Sequence, residues 1–129
     1  MQENHLFEYA VIRVVPRVER EEFINVGVVL YCRKHDFLHT LINLDTNRLC
    51  AFSGKPESLV EEIQAHLNAF ERICIGGADA GPIGKMDTAS RFRWLTATRS
   101  TIVQTSKVHP GFCTDLGKAL EKIYREMVL

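Results

Sequence analysis

The sequence predicts one α+β domain over residues 1–129: a mainly antiparallel sheet of about four strands, with two main helices packed on one face. Three observations lead there. Residues 7–44 contain three stretches rich in Val, Ile, Leu and aromatic residues joined by short links, as sequence-adjacent antiparallel strands require. Residues 55–74 and 114–127 repeat apolar side chains every three or four positions. The intervening segment 87–106 carries both patterns, a short helix to about Thr96 and then a strand from about Arg99 to Thr105.

The first strand covers residues 7–15 and is closed by Pro16, with Ala10, Ile12 and Val14 on one face and Tyr9, Val11, Arg13 and Val15 on the other. Glu19 to Glu22 form a charged connection, compatible with a short helical turn. The second strand spans about Ile24 to Arg33, where strict alternation would put Ile24, Val26, Val28, Leu30 and Cys32 on one wholly apolar face. Lys34-His35-Asp36 reads as a hairpin turn into a third strand, Phe37 to Leu44.

Leu59, Ile63, Leu67, Phe70 and Cys74 form the stripe of the first long helix, with Pro56 in its first turn and Ser58 with Glu61 as an alternative capping box. Residues 76–86 hold four glycines and a proline, which marks a loop. Asp87 is placed to cap the short helix that carries Ala89, Phe92 and Leu95 inward. The last helix has the stripe Leu116, Leu120, Ile123, Tyr124 and Met127, capped by Thr114 or Asp115. If both long helices cover the Ile12 side, then Tyr9, Val11, Val29 and Tyr31 need cover from segments such as 76–98 or from a partner.

Composition narrows the function classes. Sixteen basic residues balance sixteen acids, so generic nucleic-acid binding lacks its main driving force over the whole chain. The region from Lys85 to His109 is locally basic, with Lys85, Arg91, Arg93, Arg99 and Lys107 against Asp87. The opening residues lack the pattern of a secretory signal, and no apolar run approaches the roughly 18–20 residues of a membrane span. Cys32, Cys50, Cys74 and Cys113 are therefore expected as reduced thiols in a cytoplasm.

Familiar catalytic patterns are missing. The glycines before Lys85 do not match a phosphate-binding loop, because Asp79 stands at the first glycine position and Met86 follows the lysine. No Cys-x-x-Cys pair, His-Glu-x-x-His helix or Gly-x-Ser-x-Gly elbow occurs, and His35 and His39 straddle a turn and a strand. No metal or cofactor is expected, and no catalytic residues are assigned. Cys113 beside His109 is weighed as a nucleophile and read as a small residue next to a helix cap.

What remains is polar chemistry inside apolar strands. Asn25 and Gly27 share the alternating face of the second strand, with Arg13 across from them. Glycine within a strand marks a bulge or a close backbone approach. With Arg91, Arg93, Arg99, Thr101, Gln104 and His109 these residues supply enough donors for a carboxylate or phosphate. The same arginines could equally pair with Glu8, Glu19, Glu21 or Glu22 as an internal network.

Residues Tyr9–Arg17 (YAVIRVVPR), Glu22–Cys32 (EFINVGVVLYC) and Arg91–Thr105 (RFRWLTATRSTIVQT) resemble the uncharacterised bacterial family catalogued as domain of unknown function 3037. The resemblance covers essentially the whole chain. It implies no activity; from the genomic setting of the family it implies a HipA-like protein kinase as a partner. One departure is Thr98, where the pattern Leu-Thr-Ala-Pro-Arg would place proline. The sequence thus supports a cytoplasmic, non-enzymatic accessory module that binds a partner protein or a small anion. The alternatives are an enzyme acting on a phosphate ester or nucleic-acid end, with His109 as acid or base, and a single-strand nucleic-acid binder using Phe92 and Trp94.

Overall fold

The computed structural model describes residues 3–16, 22–53, 57–99 and 101–129, apart from the side chains of residues 50–58. The expected turn within Glu19 to Glu22, the roles of Pro56 and Ser58 at a helix start, and Ser100 fall outside the described parts. Strands β1 (His5–Val14), β2 (Ile24–Cys32) and β3 (Phe37–Ile42) form consecutive antiparallel hairpins. Helices α1 (Thr46–Ser53) and α2 (Glu57–Ile75) follow, then a 3-10 turn at Ala78–Ala80 and the short helices α3 (Gly81–Gly84) and α4 (Thr88–Leu95). Strands β4 (Val103–Thr105) and β5 (His109–Cys113) precede the last helix, α5 (Leu116–Met127). No helix among the described residues is long and apolar enough to cross a membrane.

The sheet has the order β3-β2-β1, and β4 and β5 share the fourth position along β1. The expected fourth strand from Arg99 to Thr105 is thus shorter at its start and resumes beyond residue 106. Ser106 bridges the interruption: its N–H donates to Val11 O at 2.8 Å, and its Oγ accepts from Val11 N–H at 2.8 Å. Pro110 is accommodated in β5 because on an edge strand a proline can lie with its missing N–H turned away from the ladder.

Strict alternation fails in β2. Ile12 pairs with Gly27 but Arg13 pairs with Asn25, so Val26 is an extra residue in a bulge. The bulge reverses the facing of everything after it. Ile24 and Val26 join Val29 and Tyr31 in one core, while Val28, Leu30 and Cys32 belong to another. The single apolar face expected for these residues is therefore split between two cores.

A central strand buried on both sides needs cover on both sides. Ile63, Leu67, Phe70 and Cys74 of α2, with Phe92 and Leu95 of α4, cover Ala10, Ile12, Val14, Val29 and Tyr31. Leu116 and Leu120 of α5, with Val128, cover Phe7, Val28, Leu30 and Cys32. The α+β class and antiparallel sheet hold, but the two main helices lie on opposite faces rather than one. Phe92, fully buried, stacks on Tyr31 at 5.1 Å between centroids, so the chain's own segment 88–95 covers the face that carries Val29 and Tyr31.

Candidate functional site

The site grows from the way α4 ends. Asp87 caps the helix, its Oδ1 accepting from Ser90 N–H at 2.7 Å. Hydrogen bonds from the Ser90 side chain and backbone hold the Asp87 carboxyl below its ordinary range. Residues two apart on a helix are roughly 200° apart around its axis, so Phe92 and Trp94 cannot both face the core. Phe92 takes the core position, and Trp94 is left 45% exposed.

Arg99 then folds back over the indole, its Cζ 4.8 Å from the ring centroid, and its Nη2 donates to Trp94 O. Across from this pair, α2 presents His66, Phe70 and Ile73, which lie on one side at steps of four and three residues. Thr101 and Gln104 complete a cavity of about 280 Å³. Both polar side chains also brace the chain: Thr101 Oγ1 donates to Val103 O at 2.7 Å, and Gln104 Nε2 donates to Thr101 O at 2.7 Å.

Three of the nine singled-out residues, Arg99, Thr101 and Gln104, thus line one cavity. A second grouping is a row across the sheet, in which Arg13 pairs with Asn25 on one side and Gln104 on the other. Arg13 stacks on Phe23 at 3.9 Å, and burial pulls its pKa below the ordinary value. Asn25 Nδ2 donates to Met127 O at 3.0 Å, tying β2 to the end of α5. Arg13 Nε and Asn25 Oδ1 are both buried without a hydrogen-bond partner.

The other residues serve other places. Arg91 Nη1 donates to Ile73 O at 2.9 Å and Cys74 O at 2.8 Å, its Nε to Met86 O at 3.1 Å, and its Nη2 to Thr88 Oγ1 at 3.2 Å. It clamps the end of α2 to α4. Arg93 forks onto Glu8, with Nη1 3.0 Å from Oε2 and Nη2 donating to Oε1 at 3.3 Å. Gly27 leaves room for the neighbouring strand, since a Cβ there would meet Leu41 O at 2.6 Å.

His109 is exposed and lies against Tyr9, ring centroids 5.4 Å apart. Cys113 stands at the other end of the same strand, roughly 13 Å away at the usual rise per residue, which is beyond any nucleophile–base contact. The four arginines therefore do not gather in one pocket: Arg13 belongs to the α5 side, and Arg91, Arg93 and Arg99 each engage a different part of the α2–α4 side. Among the described residues, no three His, Cys, Asp or Glu side chains come together as a metal site.

The family model described as "Protein of unknown function (DUF3037)" matches residues 9–128. The chain belongs to this family. No curated protein and no solved structure matches it. The Trp94–Arg99 cavity presents a flat apolar surface, a delocalised cation and a mixed rim. Sequence reasoning raised Trp94 only as a stacking surface for single strands, and it missed His66. The two-residue offset of Trp94 from Phe92 was the available signal for the first. His66 carried none until α2 was set beside β4.

Proposed function

We propose that the protein is a non-enzymatic binding module that docks on a partner protein through the corner formed by Trp94 and Arg99. The observation that carries this reading is a half-exposed indole with a guanidinium stacked on it, at the mouth of a cavity. Tryptophan and arginine are the residue types most enriched where binding energy concentrates. The partner suggested by the family resemblance is a HipA-like protein kinase.

The phosphate-ester reading has weaker support, because Arg91 and Arg93 are taken up by carbonyls and Glu8 and His109 lies beside Tyr9. Single-strand nucleic-acid binding loses one of its two stacking surfaces with Phe92 in the core. Co-expression with a HipA-like kinase followed by size exclusion tests the proposal. Co-elution at micromolar concentration is expected, with Trp94→Ala costing about 2 kcal/mol, roughly 30-fold in affinity. Separate elution of the unaltered protein would overturn it.

A further inference from the structure

We infer that the Trp94–Arg99 cavity takes a single carboxylate carried on a small apolar body. The carboxylate could belong to a free organic acid or to a partner's chain. This rests on the binding-module reading and specifies what its site recognises. Size sets the first limit. At about 280 Å³, and with roughly 30 Å³ for each water-sized group, the cavity suits a ligand of about ten non-hydrogen atoms.

The wall sets the second. Phe70, Ile73, Leu95 and the Trp94 indole give an apolar surface that a phosphate or sulfate would leave bare. Charge sets the third. Arg99 is the lining arginine, and its guanidinium is held in place by the indole face and by Trp94 O, so it meets a planar carboxylate with little reorganisation. A phosphate monoester brings about −1.5 to −2 charges and three acceptor oxygens. Thr101 Oγ1 and one N–H of Gln104 Nε2 already donate to the protein's own carbonyls, which leaves Arg99 and His66 as the main donors of the cavity, a set suited to the two oxygens of a carboxylate. One planar anion with an apolar stem matches all three limits.

Trp94 is the chain's one tryptophan, so its fluorescence reports on this cavity directly. The probes are phenylacetate, its neutral isostere phenylacetamide, inorganic phosphate, and a short peptide ending in phenylalanine with either a free or an amidated terminus. Phenylacetate should give a saturable change with Kd of about 1 mM. Phenylacetamide should bind at least tenfold more weakly. Arg99→Gln should lose at least tenfold in affinity while circular dichroism and Tm are unchanged.

Tighter binding of the free-terminus peptide than of phenylacetate would assign the carboxylate to a partner's chain; equal or weaker binding would assign it to a free acid. The inference fails if phenylacetate shows no saturation up to about 20 mM, if the amide binds equally well, if Arg99→Gln has no effect, or if phosphate binds as tightly. Should phenylacetate fail while Trp94→Ala still disrupts the kinase complex, the ligand class falls and the binding-module reading stands.

Discussion

The guanidinium of Arg91 donates to the carbonyl of Cys74 at 2.8 Å, closing the C-terminal end of α2 with a side chain from α4. The last turn of a helix leaves carbonyls without intrahelical donors, and a cation there also meets the negative end of the helix dipole. Gly76 continues the arrangement: at φ +84° it turns the chain away, and any Cβ would strike the Arg91 guanidinium at 2.7 Å. Arg91→Ala should destabilise the protein by about 2–3 kcal/mol. Arg91→Lys should recover less than half, since an ammonium cannot span the same carbonyls. Urea unfolding of the two variants checks this.

Gly27→Ala should cost about 2 kcal/mol. Its Cβ would meet Leu41 O at 2.6 Å and Ile42 Cγ1 at 2.9 Å, and a backbone oxygen in a hydrogen-bonded ladder cannot step aside as a side-chain tip can. A fall in the urea midpoint at constant m-value is the expected result.

Burial pushes the Cys74 thiol up to about 12, against an unfolded value of about 8.5. A raised folded pKa stabilises the fold in full below the unfolded value, and that contribution is lost as pH climbs from about 8.5 towards 12. The unaltered protein should therefore lose stability across that window more steeply than Cys74→Ala. Thiol titration at pH 8 should label Cys113, which is partly exposed, before Cys74, which should react only on unfolding.

Asp87 gives the opposite sign. Its folded pKa is depressed by the Ser90 hydrogen bonds, so its contribution is present above the unfolded value of about 3.9 and disappears as pH falls through the folded value. Asp87→Asn keeps a capping oxygen but removes the titration. The stability difference between the two proteins should shrink below pH 4.

Much of the fold was legible because periodicity carries it. The stripe from Leu59 to Cys74, the Asp87 cap and the β1–β2–β3 meander all lie where alternation and capping chemistry place them. Helix α1 was not foreseen, since Leu49 is its only buried side chain among those described and one apolar contact makes no stripe. The bulge at Val26 was signalled by Gly27 beside it but not located, for a different reason. Valine fits either face, and only the pairing of Arg13 with Asn25 shows that the alternation slips. The site was half visible: Arg99, Thr101 and Gln104 stood out as polar residues in a strand-like run. Their meeting with His66 depends on which face of the sheet receives α2, which no local pattern encodes.

The central claim is that one arginine of the four recognises a partner while the others hold the fold. The direct measurement is a paired determination of Tm and affinity for the HipA-like kinase in Arg13→Ala, Arg91→Ala, Arg93→Ala and Arg99→Gln. Arg99→Gln should lose at least tenfold in affinity with Tm unchanged. Arg91→Ala should lower Tm by roughly 4–8 °C or more, and the first three variants should bind within a factor of about three of the unaltered protein while folded. Equal loss of affinity in all four, or full affinity in Arg99→Gln, would contradict it.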